Sequence, residues 1–376
     1  MSLYLDYNAS SPVLPEVLDV MISVYKNTPG NADSRTHVYG TNAKKLVLES
    51  RRTIASILAV DPTEMIFTSG STESNNTCIL GIADYANKTG KKHIITTAIE
   101  HKAILEPLKI LQNKGFDVEY IKPDASGRIN AEQLLASVRA DTVLVSVMFV
   151  NSETGIIQPV HQIGKALKSQ GVLFHVDATQ ALGKLNSEIR SLDYDMMSIT
   201  AHKIGGPQGI GALILKRNDS YQSPPITPLM YGGHQERGFR PGTTPVALIA
   251  GFAKAVELCE NNLQSSIDGC IRIKNNFYKA LDGLTYTING DPQYCIPSTI
   301  NISIDGLDAE AAFLCLGDDY AFSNGSACNS STHELSYVLD AMGLSEKRKA
   351  EAIRLSWNGK EDIDFTPFVN IVRSII

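Results

Sequence analysis

Short apolar runs alternate with longer amphipathic stretches between residues 63 and 216. The runs are continuous rather than alternating, which is typical of parallel strands that are covered by helices on both faces. They predict seven strands at Met65–Thr68, His93–Thr97, Val118–Ile121, Val143–Phe149, Val172–Val176, Met196–Ile199 and Gly211–Leu215. Helices are predicted between them at Ser74–Ala86, Ala131–Ser137 and Val160–Gln170, the last ended by Gly171.

The pattern changes after Thr244. One long helical region is predicted over Val246–Leu284, and it is followed by strand-like, helical, strand-like and helical segments. The short segments among these are Ser298–Ile304, Ala309–Leu316 and Ile353–Trp357. We therefore expect a large α/β lobe with a mostly parallel sheet and a smaller α+β lobe.

Composition narrows the function classes. The chain has 376 residues and 43% apolar content, which exceeds the size at which single cores usually split. The net charge of -6 argues against direct binding to nucleic acid. The N-terminus has no basic segment before an apolar run, and no apolar run could span a bilayer, so a cytoplasmic protein without membrane contact is expected.

The cysteines give no framework for disulfides or zinc. Six of them are spread along the chain without a C-x-x-C pair: Cys78, Cys259, Cys270, Cys295, Cys315 and Cys328. Most are interpreted as small buried side chains. Cys328 differs because it lies in a run of small polar residues, Ser323 to Ser331. Its thiol could enter a pocket from a loop, or it could be a loop cysteine without a role.

Ligands bind beyond the carboxyl ends of the strands in open parallel sheets, and polar residues collect at these positions here. Ser71 and Thr72 follow the first predicted strand at a helix start, which suits a phosphate, although an ordinary helix cap is the alternative. Asp177 and Lys203 follow two later strands. Pyridoxal phosphate (PLP) chemistry requires a lysine that forms a Schiff base and an acid that keeps the pyridine nitrogen protonated.

Each candidate also has a simpler interpretation. His101 could be a structural histidine, His175 and Asp177 could be a metal pair, and Lys203 could be a solvated loop lysine. No further metal ligand stands at a suitable spacing, so no metal is predicted. Arg354 lies in an apolar run and needs a carboxylate partner, either from a substrate or from an internal Asp or Glu.

Six motifs in order resemble the cysteine desulfurases of the class V aminotransferase group, and most closely the bacterial iron–sulfur-cluster and nitrogen-fixation desulfurases. The motifs are Leu5-Asp6-Tyr7-Asn8-Ala9, Phe67 to Ser74, Glu100-His101-Lys102, His175 to Gln180, Ala201 to Pro207 and Gly325-Ser326-Ala327-Cys328. The resemblance covers nearly the whole chain. It implies a type I PLP-dependent transferase fold, with a large PLP-binding domain over 13–255 and a small domain over 1–12 and 256–376 that carries the Cys328 loop.

The resemblance also implies a homodimer that converts L-cysteine to alanine and leaves a persulfide on Cys328 for a sulfur-acceptor protein. Lys203 would hold the cofactor covalently, His101 would stack on its ring and assist proton transfer, and Arg354 would hold the substrate carboxylate. The remaining cofactor contacts implied are Asp177 at the pyridine nitrogen, Gln180 at the phenolic oxygen, and Ser71, Thr72, Thr200, His202 and the partner subunit's Thr243 at the phosphate.

Two departures from the family pattern bear on function. Ser152 stands where family members usually have an asparagine that helps to anchor the substrate. The chain ends at Ile376 without the C-terminal extension with which housekeeping members dock a cluster scaffold. We therefore hypothesise a dedicated acceptor, such as the DNA phosphorothioate-modification machinery. The alternatives are a selenocysteine lyase-like PLP enzyme and a non-catalytic scaffold of a sulfur-transfer complex.

Overall fold

A computed structural model describes residues 2–323 and 335–376 of the chain. Within these ranges the strands are β1 (Leu3–Tyr4), β2 (Met65–Thr68), β3 (His93–Thr97), β4 (Asp117–Ile121), β5 (Thr142–Met148), β6 (Leu173–Asp177), β7 (Met196–Thr200), β8 (Gly211–Leu215), β9 (Tyr286–Ile288), β10 (Thr299–Ile304), β11 (Tyr320–Ala321) and β12 (Ala352–Ser356).

The α-helices of the same ranges are α1 (Pro15–Asn27), α2 (Val38–Leu58), α3 (Ser71–Gly81), α4 (Ala83–Thr89), α5 (Lys102–Gln112), α6 (Ala131–Ala136), α7 (Val160–Leu167), α8 (Asn186–Arg190), α9 (Val246–Asn261), α10 (Leu263–Ala280), α11 (Ala309–Leu316), α12 (Tyr337–Ala341), α13 (Glu346–Ala350) and α14 (Thr366–Ile375). Short 3₁₀ helices lie at Pro62–Glu64, Gln235–Gly238 and Pro292–Tyr294.

A seven-stranded sheet forms the centre of the larger half, in the order β2-β8-β7-β6-β5-β3-β4. The pairs from β7 to β4 are parallel, whereas β8 runs antiparallel to both β2 and β7. Its strands are largely buried because helices cover both faces, which explains their continuous apolar runs. The predicted α/β class with a mostly parallel sheet is confirmed, and all seven predicted strands are present to within a residue or so at their ends.

A second, three-stranded antiparallel sheet has the order β12-β10-β9. Its apolar side chains pack with those of α10, α11 and α14 into a core of their own, around Phe277 and Phe368. The described residues thus pack around two separate sheets, as the change of pattern after Thr244 predicts. The boundaries of the two domains at residues 12/13 and 255/256 stay a prediction.

Three predicted helices are wrong in detail. The stretch Val246–Leu284 forms two helices instead of one, because Asn262 takes a non-helical conformation at φ -109° and ψ 9°. Helix α7 ends at Leu167, so Gly171 is not its C-cap; Gly171 instead takes a positive φ of 65° in the turn before β6. Ser74–Ala86 is likewise divided between α3 and α4.

The N-terminal segment joins the two sheets. β1 pairs with β11, and Asp6 forms a bridge with Ser356 at the end of β12. The next residues cross to the large sheet, where the Ser11 amide donates to the carbonyl of His202 at 2.8 Å. Residues 6–11 therefore lie where the two halves meet. Among the described residues, no helix is both long and apolar enough to cross a membrane.

Candidate active site

A cavity of about 300 Å³ lies beyond the carboxyl ends of β5, β6 and β7. Its wall contains most of the residues predicted for the site: Ser71, Thr72, His101, Asp177, Gln180, His202, Lys203 and Arg354. Asn8, Ser152 and Glu153 complete its polar surface. The cavity is within the size range of small-molecule sites, about 300–1,000 Å³. The structure therefore brings eight separately predicted residues to one place, while their individual roles remain predictions.

Lys203 follows β7 by three residues, and its side chain is held by the N-terminal segment. The ammonium group donates to the carbonyl oxygens of Asn8 at 2.8 Å and Ala9 at 2.7 Å. Asn8 is 3% exposed, and its side chain reaches across both halves by donating to the carbonyl of Ser152 at 3.0 Å and to the Thr299 hydroxyl at 2.9 Å. Asn8 thus fixes the position of the segment that holds the lysine.

Asp177 ends β6, and its carboxylate is oriented by two donors. Asn75 Nδ2, from α3, donates to Oδ2 at 2.7 Å, and the amide of Thr179 donates to Oδ1 at 3.0 Å. An ionised carboxylate can accept about four hydrogen bonds. Asp177 therefore retains acceptor capacity toward the cavity that it lines.

The predicted phosphate contacts lie at one end of the cavity. α3 begins at Ser71 after Gly70, whose φ of 152° is costly for any residue with a side chain. The first amides of a helix have no partner within the helix, so this start is suited to an anion. His202 contacts Thr200 Oγ1 through Nδ1 at 3.0 Å. Burial, and then the charge of Lys203, lowers the pKa of His202 to about 4.

Thr200 and Thr243 are not among the described residues that line the cavity. Thr200 is fully buried beneath His202, and its hydroxyl also contacts the Ile210 carbonyl at 3.3 Å. Thr243 is exposed in the loop before α9. Both proposed phosphate contacts stay predictions.

Gln180 and His101 both form hydrogen bonds with other groups of the protein. Gln180 Nε2 donates to the Asn8 carbonyl at 2.9 Å, and its Oε1 accepts from Lys184 at 2.7 Å. His101 caps α5 by accepting from the Ala103 amide at Nδ1, at 3.1 Å. In the neutral imidazole that bond places the proton on Nε2. Among the described residues, Gln180 keeps one donor available for a ligand, the second Nε2 hydrogen.

Arg354 is 2% exposed and forms an ion pair with Asp6, with Nη2 and Oδ1 2.5 Å apart. Nη1 donates to the carbonyl of Ser152 at 3.1 Å. An internal carboxylate, the alternative that the sequence left open, is therefore present. A substrate carboxylate on this guanidinium would share it with Asp6.

Glu153 is the second carboxyl group of the cavity wall, and it is 3% exposed. Its side chain hydrogen-bonds to Ser336, the N-cap of α12, whose hydroxyl also accepts from the Leu339 amide at 3.0 Å. Burial raises the pKa of Glu153 to about 7, against the lowering effects of Ser336 and Arg354. The group is therefore near its midpoint at neutral pH.

The beginning of α12 is attached to the large half at a second point. Tyr337 Oη donates to the carbonyl of Glu100 at 2.7 Å. The Glu100 carboxyl group is fully buried and accepts from Thr97 Oγ1 at 2.7 Å and from the Met148 amide at 2.9 Å. Burial raises its pKa to about 8. Glu100 thus joins the ends of β3 and β5 next to His101.

His175 lies below the cavity between two serines. Nδ1 contacts Ser146 Oγ at 2.9 Å and Nε2 contacts Ser198 Oγ at 3.0 Å, so both ring nitrogens are engaged. Residues 2–323 and 335–376 contain no group of three or more His, Cys, Asp or Glu placed to hold a metal ion. His175 is thus a buried residue of the sheet.

Cys328 lies outside the described residues, so its predicted role stays a prediction. Sequence reasoning did not identify Asn75 as the partner of Asp177, Asn8 as the support of Lys203, or Tyr337 as the support of α12. Asn8 was part of a recognised motif, and that was the signal available for it. Asn75 and Tyr337 carried none, because their contacts join segments that are 102 and 237 residues apart.

Comparison with known proteins agrees with this geometry. Residues 3–359 match the model of the family described as aminotransferase class-V. The chain belongs to this family. It is 41% identical to the cysteine desulfurase IscS of Vibrio cholerae serotype O1 (strain M66-2), over 95% of this chain and 88% of that protein.

Two solved structures are also similar. A NifS-like protein superposes with a TM-score of 0.90 at 34% identity and covers 100% of this chain and 98% of its own. DndA from Streptomyces lividans superposes with a TM-score of 0.82 at 40% identity and covers 93% and 98%, respectively. These likenesses confirm the predicted family resemblance and the predicted fold.

Proposed function

We propose that this chain is a cysteine desulfurase that uses PLP to convert L-cysteine to L-alanine and passes the sulfur to an acceptor protein through a persulfide on Cys328. One observation carries the proposal: Lys203, Asp177 and Arg354 line a single cavity at the ends of neighbouring strands. The whole-chain likeness to an enzyme of that name supports it.

The residues present fit PLP. Asp177 retains acceptor capacity for a protonated ring nitrogen, and the start of α3 offers amides to a phosphate. Thr179, also in the wall, has a buried hydroxyl with no hydrogen-bond partner among the described residues. A buried hydroxyl without a partner is costly in the free protein, so a ligand acceptor next to it would stabilise this site.

When bound, PLP supplies a ring that accepts electrons from the substrate carbon. Lys203, Asp177, Gln180, Ser71, Thr72 and His202 are the residues that would hold it. Arg354 would bind the substrate carboxylate in the orientation set by Asp6. His101, with its proton on Nε2, would exchange a proton with the substrate.

The Cys328 thiolate would attack the substrate sulfur. A new S–S bond forms, the C–S bond of the substrate breaks, and the carbon that loses sulfur takes up a proton to give alanine. L-cysteine and one thiol thereby become alanine and one persulfide, so no external oxidant is needed. Transfer to a second thiol restores Cys328.

The test is alanine formation from L-cysteine by the PLP-loaded protein, run beside Cys328→Ala and Cys328→Ser. We expect alanine from the wild type alone, together with a mass increase of one sulfur atom on the peptide that contains Cys328. Full cysteine activity in Cys328→Ser would instead favour a selenocysteine lyase-like enzyme. A colourless protein that cannot be loaded with PLP would favour the scaffold.

We also propose that the enzyme is a homodimer whose partner subunit contributes Thr243 to the phosphate site. Large side chains are exposed at the start of α2, Val38 (62%) and Tyr39 (56%), and in the loop before the second 3₁₀ helix, Tyr231 (83%). Exposed apolar patches of this kind typically mark interfaces. Gln235 Nε2 donates to Asp33 Oδ2 at 3.0 Å, and Gln235 Oε1 accepts from the Gly242 amide at 3.1 Å, so Thr243 lies near the start of that 3₁₀ helix.

The loop before Thr243 is held in a strained conformation. Glu236 and Arg237 have positive φ angles of 46° and 56°, which cost free energy in residues other than glycine. The strain is offset by a buried pair in which Arg51 donates to both Glu236 oxygens, at 3.0 and 2.5 Å. A loop that is fixed in one conformation despite this strain is suited to presenting Thr243 to a second subunit.

Mixed dimers test this arrangement. Lys203→Ala and Thr243→Ala homodimers should both have low activity. Mixing and reassociating them should restore activity, because one of the two sites in each heterodimer then has both residues intact. A monomer by analytical ultracentrifugation, or no restoration, contradicts the proposal.

A further inference from the structure

A second cavity, of about 430 Å³, lies on the other side of Lys203 between the two halves of the chain. It is formed by the start of α1, the segments around Lys184 and Lys203, the α9–α10 junction, and the ends of β10 and β12. Most of its wall is apolar, with Leu14, Leu258, Ile267 and Ile296 among the lining residues. We propose that this second cavity binds a small apolar molecule that carries one carboxylate group.

Unpaired donors in the wall point to an anionic group. Trp357 Nε1 and Ser298 Oγ are buried without a hydrogen-bond partner among the described residues, and these side chains are 2% and 6% exposed. Leaving such groups unsatisfied is costly, and an acceptor from a ligand would remove that cost. The two residues are neighbours across the sheet, since the Trp357 amide donates to the Ser298 carbonyl at 3.1 Å.

Lys184 also lines the second cavity and adds a cation when it is protonated. Its ammonium donates to Gln180 Oε1 at 2.7 Å and, at the limit of hydrogen bonding, to Asn8 Oδ1 at 3.5 Å. Both partners are neutral amides, so one of the three ammonium hydrogens and the whole charge have no partner among the described residues. Asn8 also donates to Thr299, the residue after Ser298, at 2.9 Å. The contacts of Asn8 thereby link the side chain of Lys184 to the segment that contains Ser298.

The remaining charges of the second cavity favour an anion too. Lys203 and Lys360 line it, and the only described acidic residue in the wall is Glu16, which is exposed. Cys259 and Cys270 are neutral because burial raises the pKa of their thiols to about 11 and about 12. A monocarboxylate with an aliphatic body complements this combination of lysines and apolar walls, whereas a phosphate would leave the apolar surface unfilled.

Octanoate is a suitable probe, with n-octylamine and 1-octanol as matched controls for charge. Trp357 is the single tryptophan of the chain and lines the cavity, so its fluorescence reports on binding directly. We expect octanoate to change Trp357 emission saturably in the PLP-loaded protein and to release heat by calorimetry. The amine should bind at least about tenfold more weakly, because its positive charge is repelled by that of Lys184.

Variants assign the signal to the cavity. Ile267→Phe adds bulk to the cavity wall and should weaken octanoate binding while it leaves alanine formation unchanged. Lys184→Met should weaken octanoate about tenfold or more, the size of a hydrogen bond to a charged group, and should not weaken 1-octanol. Ser298→Ala removes only a hydroxyl group and should weaken octanoate severalfold, which provides a second variant if Lys184→Met folds poorly.

Proton uptake gives an independent readout. Desolvation, and then the charge of Lys203, lowers the pKa of Lys184 to about 7. Tyr7, Cys259 and Cys270 face the same space with raised pKa values and stay neutral there. Octanoate should therefore draw a proton onto Lys184 above pH 7, visible by calorimetry in buffers of different ionisation enthalpy, and not in Lys184→Met.

Three results would overturn the proposal: octylamine binding as tightly as octanoate, octanoate binding unchanged in Ile267→Phe, or no change in fluorescence or heat up to the solubility limit of octanoate. The outcome can be separated from that of the proposed desulfurase activity, because fluorescence, calorimetry and proton uptake measure octanoate binding and do not require turnover.

Discussion

The two cavities share Lys203 but differ in how their polar groups are arranged. In the candidate active site, charged residues are supported by other side chains: Asp177 by Asn75, and Arg354 by Asp6. In the second cavity, the buried donors of Trp357 and Ser298 have no such partners among the described residues. The charged groups of the active site are held in place by partners, which favours chemistry, whereas the second cavity is largely apolar and suited to binding only.

Replacing a residue in each of the two cavities should affect alanine formation to very different extents. Lys203→Ala should lower kcat/KM for alanine formation by about 10³-fold or more, since it removes the covalent anchor of the cofactor. Ile267→Phe, in the second cavity, should stay within about twofold because Ile267 does not line the candidate active site. Absorbance of bound PLP and the rate of alanine release measure both. A large loss in Ile267→Phe would end the distinction between the cavities.

Arg354 tests whether the ion pair serves binding or folding. Arg354→Ala should raise KM for L-cysteine about 100-fold and also lower the melting temperature, because it leaves Asp6 without its partner. Asp6→Asn is the matched variant: it keeps the guanidinium and should lower the melting temperature with a smaller rise in KM. Equal effects of the two variants on KM would show that Arg354 acts only through Asp6.

The strands could be predicted because burial on both faces leaves an unbroken apolar run, and β2, β3 and β8 were located to the residue. The break between α9 and α10 was missed, since both helices continue the same apolar pattern across it. The Asn261-Asn262 pair was the local signal, as asparagine competes with helical hydrogen bonds. Hydrophobic periodicity reports burial and says little about such local interruptions.

The site was predictable where topology decides it. Asp177 and Lys203 follow parallel strands, and the carboxyl ends of these strands meet at one edge. The contacts of Asn8 and Asn75 were not predictable, because they depend on how distant segments approach each other. The pairing of Arg354 with Asp6 had the same origin: the sequence showed that a carboxylate was needed, and only the structure identifies which one.

His175 lies below the active site between Ser146 and Ser198, and it makes the free energy of unfolding depend on pH. Burial lowers its pKa to about 4, so the folded chain keeps the imidazole neutral while the unfolded chain protonates it below pH 6.5. Stability should therefore fall as the pH drops from about 6.5 toward 4, by about 2 kcal/mol at pH 5. Urea unfolding at pH 7 and pH 5 measures this. His175→Gln, which cannot titrate, should lose less between the two pH values; an equal loss would assign the effect to other groups.

Glu153 is the smallest test, and it concerns charge within the active site itself. Its pKa of about 7 means that raising the pH ionises it next to the position predicted for the substrate carboxylate. The anionic form should repel that carboxylate, so KM for L-cysteine should rise about three- to tenfold between pH 6.5 and 8.5. L-alanine, tested as a competitive inhibitor, provides the control, because it has no thiol to titrate over this range. Glu153→Gln stays neutral and should give a flat profile for both ligands. A rise that persists in the variant would show that another group titrates. Glu153 would then not be the active-site counterpart of Lys184, whose pKa is also about 7 in the second cavity.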